Sequence, residues 1–280
     1  MRHENLPLRL NFYESVLSIR PAQLAALIKR LLFIHRVVVE TSDGLKFWID
    51  PVSILGLKLL RDRTFEPSLS KLIKCLLRVG DTFVDIGANE GYFSVLGANA
   101  TMLGGRIVAV EPQQRLLPVI ERNLELNQLT NVEIMSDALS DKKGTAVLHL
   151  RPSTNTGASS FYRHWRLGRA SVPVKTIILD ELLEHRPGTI RLVKIDCEGA
   201  EPLVIAGAGQ SLAARVIQFL TVEYHTAICG REACRQAHQA ILSHGYDAVS
   251  YGGLILYFQS VLASEVHRLE NTAAVPDWLN

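Results

Sequence analysis

The chain has 280 residues, of which 48% are hydrophobic and 21% are charged, and its formal net charge at pH 7 is only +2. This composition can form a full hydrophobic core, so general intrinsic disorder is excluded. The near-neutral charge gives no support to bulk binding of nucleic acid, and no apolar run approaches the length of about 20 residues that spans a membrane.

The cysteine content and the first residues bear on the cellular compartment. The four cysteines include no CxxC pair and are too few for a disulfide framework in a chain of this length. The first residues, Met1–Asn5, lack the long apolar stretch of a signal peptide. We therefore expect a soluble cytoplasmic protein with free thiols and no transmembrane segment.

Residues 1–70 are predicted to form an N-terminal cap that contains a helix and a β-hairpin. The helical apolar pattern covers Leu24–Ile34, and the two strands cover Val37–Glu40 and Leu45–Ile49 with an Asp-Gly turn between them. The amphipathic helix could lie on a membrane surface. Packing against its own domain, or against a partner subunit in a homodimer, is the simpler interpretation.

Residues 71–260 alternate between strand-like and helix-like segments, which is typical of an α/β fold with a doubly wound parallel sheet. The predicted strands are Phe83–Ile86, Arg106–Glu111, Val132–Asp137, Ile190–Asp196, Phe219–Tyr224, Ala248–Tyr251 and Ile255–Phe258. The predicted helices are Tyr92–Met102, Gln114–Asn127, Pro202–Ala208 and Glu232–His244. Only Gly252-Gly253 separates the last two strands, so they should form a hairpin. We predict a Rossmann-like, mostly parallel seven-stranded sheet with an antiparallel last strand, followed by a C-terminal tail, 261–280.

An insertion lies between the third and fourth parallel strands. It includes strand-like segments at Thr145–Leu150 and Val172–Lys175, and a polar run at Ser153–Ser160. Small hydroxylated residues with glycine suit a mobile loop. The basic and aromatic residues of Arg163–Arg166 suit a polar, anionic or sugar-bearing acceptor, and a solvated linker is an equally good interpretation.

The loop after the first core strand is the most informative motif. A short apolar strand containing Asp85 turns through Gly87 and Gly91 into a helix. In the dinucleotide motif G-x-G-x-x-G, the middle glycine lets the backbone approach a pyrophosphate. Here Asn89 takes that place and Glu90 follows. This loop suits an adenosine with an amino acid tail and no phosphate, which predicts S-adenosylmethionine and makes an NAD-dependent oxidoreductase least favoured.

Two further strand ends are candidates for holding the nucleoside. Glu111 ends the second strand, where a carboxylate can accept hydrogen bonds from both ribose hydroxyls. Asp137 ends the third strand and could accept from an adenine amino group, while the N–H of Ala138 reaches a ring nitrogen. Asp137 could equally be an acid that only ends the strand. Asn123, on the second helix, is expected to be mainly structural.

The segment Lys194–Glu201 places three acids within six residues at the end of another apolar strand. These acids are Asp196, Glu198 and Glu201. Acids in this position are often only helix caps, but their density favours a functional role at the reactive end of the cofactor.

The next strand ends in Glu223-Tyr224-His225. His225 could be a general base, because its ordinary pKa lies near neutrality. Asp196 and Glu223 could instead bind a divalent cation. A zinc site built from His225, Cys229, Cys234 and His238 is disfavoured by their spacing, so no metal ligand is assigned.

Together these segments resemble the FkbM family of S-adenosylmethionine-dependent methyltransferases over about residues 70–260. The matching motifs are Val84–Gly91, Asn155–Ser159, Lys194–Glu201 and Val222–His225. The resemblance implies an O-methyltransferase that acts on a hydroxyl of a sugar, a glycolipid or a secondary metabolite. It implies in-line attack on the sulfonium methyl.

The resemblance also implies roles for individual residues. Asp196 is the first choice for proton removal or acceptor orientation, with His225 second and Glu223 beside them. The predicted cofactor-binding residues are Asp85, Gly87, Asn89, Gly91, Glu111, Asp137, Ala138 and Asp196. The predicted acceptor-binding residues are Asn155, Ser159, Glu198 and Glu201. Methylation of nucleic acid or protein, and non-catalytic cofactor binding, are the alternatives.

Overall fold

The structure is a computed structural model that describes residues 6–102, 104–162, 170–184, 186 and 188–279. Two helices, a hairpin and two more helices precede the sheet: α1 (Leu6–Ser18), α2 (Ala22–Leu31), β1 (Val37–Glu40), β2 (Lys46–Ile49), α3 (Ile54–Asp62) and α4 (Pro67–Leu76). The predicted hairpin is therefore present, and β1 and β2 pair antiparallel.

The sheet then begins, and it is interrupted by the insertion. The elements of this part are β3 (Thr82–Ile86), α5 (Tyr92–Thr101), β4 (Arg106–Val110), α6 (Leu117–Leu126), β5 (Val132–Met135), β6 (Ala138–Leu139), β7 (Gly144–His149) and β8 (Ser171–Ile177). A 3₁₀ helix at Ser153–Ala158 lies between β7 and β8. The insertion strands form their own three-stranded sheet in the order β6-β8-β7.

The second half of the chain completes the main sheet. Its elements are α7 (Leu179–Glu184), β9 (Ile190–Ile195), α8 (Glu201–Ala206), α9 (Gly209–Ala213), β10 (Ile217–Val222), α10 (Thr226–Cys229), α11 (Arg231–Ser243), β11 (Tyr246–Tyr251), β12 (Leu254–Gln259), α12 (Ala263–Val266) and β13 (Thr272–Ala273). Among the described residues, no helix is both long enough and apolar enough to cross a bilayer.

The main sheet has the strand order β13-β11-β12-β10-β9-β3-β4-β5. Strands β10, β9, β3, β4 and β5 pair in parallel, while β12 runs antiparallel to both β10 and β11. This confirms the mostly parallel α/β sheet and the hairpin at Gly252-Gly253. The sheet has eight strands instead of seven, because two residues of the C-terminal tail form β13. A two-residue strand is too short to show any periodicity in the sequence.

The core strands are buried on both faces because successive side chains point to opposite sides of a sheet. On one face, Phe83, Leu192 and Phe219 pack with residues of β2, α3 and α4. On the other face, the neighbouring residues of the same strands pack against α7, α8 and α11. The described residues before 71 therefore share a hydrophobic core with the sheet. A separate cap at 1–70 stays a prediction.

Candidate active site

A cavity of about 210 Å³ opens where the parallel strands end. The cavity is lined by the loops after β3, β4, β9 and β10, by the insertion and by the segment between β2 and α4. The predicted site residues that line it are Gly87, Asn89, Glu111, Ala138, Asn155, Ser159, Asp196, Glu198, Glu223 and His225. The structure therefore brings together residues that lie up to 138 positions apart in the chain.

The loop after β3 is held in a tight left-handed turn. Gly87 has φ +80°, and a Cβ atom there would lie 1.8 Å from the carbonyl oxygen of Asp196, so only glycine fits. Asn89 also has a positive φ of 51°, and its backbone N–H donates to Glu111 Oε2 at 2.8 Å. The loop conformation is thus coupled to both neighbouring strand ends.

Glu111 is a buried acid whose two oxygens already have partners. Oε2 accepts from Asn89, and Oε1 accepts from the backbone N–H of Gln113 at 2.9 Å. Burial raises the pKa of Glu111 to about 7 in spite of these hydrogen bonds. An ionised carboxylate has about four lone-pair sites, so two remain for the hydroxyls of a ligand.

The insertion closes one side of the cavity through its polar run. Thr156 Oγ1 donates to Asn89 Oδ1 at 2.8 Å, and Ser159 Oγ donates to Gln113 Oε1 at 3.0 Å. Gln113 Nε2 donates in turn to the carbonyl of Thr156 at 3.2 Å. These contacts fix the loop beside Asn155, while the basic and aromatic run Arg163–Arg166 lies outside the described residues.

A buried lysine of the cavity lining lies between two acids. Lys194 Nζ is 3.2 Å from Asp85 Oδ1 and 3.5 Å from Asp196 Oδ2, and Asp85 Oδ2 also accepts from Ser94 Oγ at 2.6 Å. Burial works against the ammonium form, but the charges of Asp85, Asp196 and Glu66 prevail and raise the pKa of Lys194. Asp85 lies below the cavity and positions Lys194.

His225 lies against three acids of the loop after β9. Its Nδ1 is 2.9 Å from Glu201 Oε1, and its Nε2 is 3.7 Å from Glu198 Oε2 and 3.9 Å from Asp196 Oδ1. Burial works against the imidazolium form, but the hydrogen bond and charge of Glu201, with Glu198 and Asp196, raise the pKa of His225 to about 9. His225 is therefore a cation at neutral pH.

Glu201 is fully buried and holds the loop after β9 through hydrogen bonds to its backbone. Besides His225, its Oε1 accepts from the backbone N–H groups of Cys197 and Gly199 at 3.1 and 3.0 Å. It is not among the described residues that line the cavity. Glu201 thus acts on a ligand only through His225 and the loop.

The cavity also has a wall that the sequence analysis did not identify. Ser53, Ile54, Leu55, Phe65 and Glu66, all from the segment between β2 and α4, line it. Burial and the charges of Asp196 and Glu223 raise the pKa of Glu66 to about 7. The apolar pattern and the Glu-Pro pair indicate the start of a helix here, but nothing local indicates that its first residues face a site.

Asp137 lies away from the other predicted site residues. Strand β5 ends two residues earlier than predicted, and Asp137 Oδ2 pairs with Lys175 Nζ at 3.1 Å in a separate surface depression. Ala138, in β6, does line the main cavity. This placement does not support the adenine role of Asp137, which stays a prediction. Gly91 likewise lies behind the cavity, where it precedes α5 and faces Ile120.

The loop between β3 and α5 is also bound to the N-terminal hairpin. Glu90 is 1% exposed, and Arg36 contacts both of its oxygens at 2.8 and 3.1 Å. Asn123 bridges the same parts, since its Oδ1 accepts from the Trp48 N–H at 2.7 Å and its Nδ2 donates to the Glu90 carbonyl at 2.8 Å. The hairpin therefore holds the loop in place.

The described part of the chain contains no arrangement of side chains that is typical of a metal site. No group of three or more His, Cys, Asp and Glu side chains there is placed to hold an ion. In the zinc set considered above, Cys229 Sγ contacts Cys234 Sγ at 3.2 Å and His238 Nδ1 contacts Tyr257 Oη at 2.6 Å.

Three solved structures are among those to which this chain is similar. The O-methyltransferase TomG from Streptomyces achromogenes, involved in tomaymycin synthesis and solved with S-adenosylmethionine, is 14% identical, with 68% of this chain and 79% of that chain covered and a TM-score of 0.43. A precorrin-6y C5,15-methyltransferase from Geobacter metallireducens is 16% identical, and the match covers 69% of this chain and 87% of that chain with a TM-score of 0.42. An rRNA methylase from Streptococcus thermophilus is 10% identical, and the match covers 68% of this chain and 93% of that chain with a TM-score of 0.42.

A search among curated proteins gave no significant match. The family described as "Methyltransferase FkbM domain" matches residues 85–248, which is more than half of the chain. The match begins at Asp85 and includes the loop after β3, Glu111, the polar run of the insertion, the acids after β9 and His225. The chain therefore belongs to the FkbM methyltransferase family.

Proposed function

We propose that the protein is an S-adenosylmethionine-dependent O-methyltransferase that methylates a hydroxyl of a sugar, a glycolipid or a secondary metabolite. The observation that carries this proposal is the division of one cavity into two ends. Glu111 follows β4, on one side of β3 in the sheet, and Asp196, Glu198, Glu223 and His225 follow β9 and β10 on the other side.

The donor set of the cavity fits the proposed cofactor. Glu111 retains acceptor capacity for ribose hydroxyls, Asn89 and Gly87 form the turn for the amino acid tail, and Ala138 lines the cavity where a base would pack. When bound, S-adenosylmethionine supplies a methyl group activated by a cationic sulfonium. Carboxylates outnumber cations along this cavity, which favours a cationic ligand and disfavours a pyrophosphate.

Asp196 is the best placed group to take the hydroxyl proton of an acceptor. Its side chain is 24% exposed in the cavity, while Lys194 and His225 neutralise part of the surrounding negative charge. His225 is already protonated at neutral pH, so it orients the acids and the acceptor and does not accept the proton. Glu198, whose pKa burial raises to about 7, is the second proton acceptor.

The lining around these acids suits a neutral acceptor with several hydroxyl groups. Phe65, Phe93 and Phe161 provide apolar surface, and carboxylates provide hydrogen-bond acceptors for hydroxyls. A sugar presents both an apolar ring face and hydroxyl donors. The excess of acids disfavours a phosphorylated acceptor or a nucleic acid backbone.

Calorimetry with S-adenosylmethionine, S-adenosylhomocysteine and NAD tests the cofactor. We expect binding of the first two and no binding of NAD, whereas the reverse preference would refute the proposal. Transfer of a labelled methyl group is then measured across sugars, glycolipids, polyhydroxylated metabolites, RNA and protein. Alkali-stable label on a hydroxyl supports the proposal, and label confined to RNA or protein contradicts it.

A further inference from the structure

Glu66 is an acid of the cavity wall that has no stabilising partner among the described residues. Asp85, Glu90, Glu111 and Glu201 each bind a cation or at least two donors. The Glu66 carboxylate makes no hydrogen bond or ion pair with any residue that the structure describes. Burial without a partner disfavours the ionised form of this acid, so a cationic ligand beside it would stabilise the carboxylate.

The backbone also holds Glu66 in an uncommon conformation. It precedes Pro67 at the start of α4 and has φ +41° and ψ +73°, in the left-handed region that residues other than glycine rarely adopt. The packing of Phe65 beside Tyr92 and Phe93 anchors this turn, with ring centroids 5.6 and 6.1 Å apart. Strain of this kind tends to be kept where it places a functional side chain.

The groups that face Glu66 come from three other parts of the fold. Asp196 and Lys194 belong to β9 and its end, Glu223 follows β10, and Lys58 lies on α3. Lys194 is already paired with Asp85 and Asp196. The side chain of Glu223, like that of Glu66, has no hydrogen-bond partner among the described residues. The wall formed by Glu66, Asp196 and Glu223 is therefore acidic.

We propose that Glu66 completes an anionic wall with Asp196 and Glu223 that selects a cationic cofactor over its neutral product. This inference rests on the proposed function, and it assigns selectivity to a residue outside the matched range 85–248. The sulfonium of S-adenosylmethionine is attracted to the wall, whereas the thioether of S-adenosylhomocysteine is not. Loss of the positive charge during methyl transfer would then favour release of the product.

Three nucleoside probes separate charge from shape. S-adenosylmethionine carries a sulfonium, sinefungin carries an ammonium group in its place, and S-adenosylhomocysteine is neutral there. At pH 8 and low salt, we expect Glu66→Gln to weaken binding of the two cationic probes about five- to tenfold. Binding of the neutral probe should change less than about twofold, because Coulomb attraction acts on the charge alone.

Two control variants distinguish this charge effect from damage to the fold. Glu66→Asp keeps the charge and tolerates a positive φ, so it should retain most of the preference for the cationic probes. Glu121→Gln removes an exposed acid of α6 that does not line the cavity, and it should leave all three affinities unchanged.

The pH dependence provides a second measurement. Burial and the neighbouring acids raise the pKa of Glu66 to about 7, so the wall gains negative charge between pH 6 and pH 8. The preference of the wild type for S-adenosylmethionine over S-adenosylhomocysteine should rise over this interval, and Glu66→Gln should reduce the rise.

The outcomes separate this inference from the proposed function. A wild type that binds none of the probes refutes both. A wild type that binds cationic and neutral probes equally at pH 8 refutes the inference and leaves the proposed function standing. Equal weakening of all three probes by Glu66→Gln, or no change at all, also overturns the role of Glu66 as a charge-selective residue.

Discussion

Replacing Glu201 by glutamine tests whether His225 is held as a cation. Glu201 Oε1 lies 2.9 Å from His225 Nδ1 inside the protein. Among the groups that raise the pKa of His225 to about 9, Glu201 has the largest effect. The difference from the ordinary value of 6.5 corresponds to about 3 kcal/mol. Removing one adjacent negative charge should lower the pKa of His225 by roughly 1 to 2 pH units.

The same substitution has a pH-dependent effect on stability. Since the pKa of His225 is raised in the folded state, its protonation stabilises the fold fully below pH 6.5, and this contribution is lost as the pH rises through about 9. We therefore expect Glu201→Gln to lower the free energy of unfolding by about 2 kcal/mol more at pH 6 than at pH 10.

NMR titration of the histidine Cε1–H signals measures the pKa directly, with His225→Gln identifying the resonance. Urea denaturation at several pH values measures stability. Glu232→Gln is the control, since it removes an exposed acid of α11 that contacts Arg235. A wild-type pKa of His225 near 6.5, or a stability difference that grows with pH, would contradict the assignment of His225 as a cation and reopen its role as a general base.

Variants at four further positions test single residues, and two of these variants have a control. Glu111→Ala should weaken S-adenosylmethionine binding at least tenfold by calorimetry, because the ribose loses its acceptor. Asp196→Asn should still bind the cofactor, weakened by no more than about tenfold because one charge of the anionic wall is lost, but it should lose methyl transfer, and full activity would exclude Asp196 as an essential ionised group. Gly87→Ala should destabilise the fold by several kcal/mol, since it adds a backbone clash to the roughly 1–2 kcal/mol for a left-handed alanine. Gly44 has the same φ of +80° but no atom near the position of a Cβ. Gly44→Ala therefore measures the cost of a left-handed alanine without the clash. Arg36→Ala should lower the free energy of unfolding by about 3 kcal/mol, because it leaves Glu90 buried without a partner, and the double replacement R36M/E90M should recover most of the loss in urea denaturation.

The parallel sheet could be predicted because its signals are local. Each central strand is a short apolar run followed by glycine or an acid, and Gly252-Gly253 indicates the last hairpin. The predicted ends of the strands at Glu111, Asp137 and Asp196 extend one or two residues too far. An acid that follows a strand continues its pattern in the sequence, although the ladder of hydrogen bonds has already ended.

Sheet geometry predicted the candidate site only where its residues follow strands of the parallel sheet, whereas Asn155 and Ser159 of the insertion were predicted from the family resemblance. The carboxyl ends of neighbouring parallel strands meet at one edge, which is enough to bring Glu111, Asp196 and His225 together. Asp137 lies apart from these residues because the chain continues directly into β6 of the insertion sheet and the Asp137 carboxylate pairs with Lys175. The pairing of Arg36 with Glu90 spans 54 residues and has no local pattern at all.

The residues that line the cavity come partly from inside and partly from outside the range matched by the family. Glu111, Asn89 and the acids after β9 all lie within the matched range 85–248, whereas Phe65 and Glu66 precede it. The end proposed for the nucleoside thus lies within the matched range, and only the part of the cavity wall from the segment between β2 and α4 lies outside it. On this basis members of the family should agree in cofactor and differ in acceptor, and exchanging residues 53–65 between two members, with Glu66 kept in place, should change acceptor preference more than cofactor affinity.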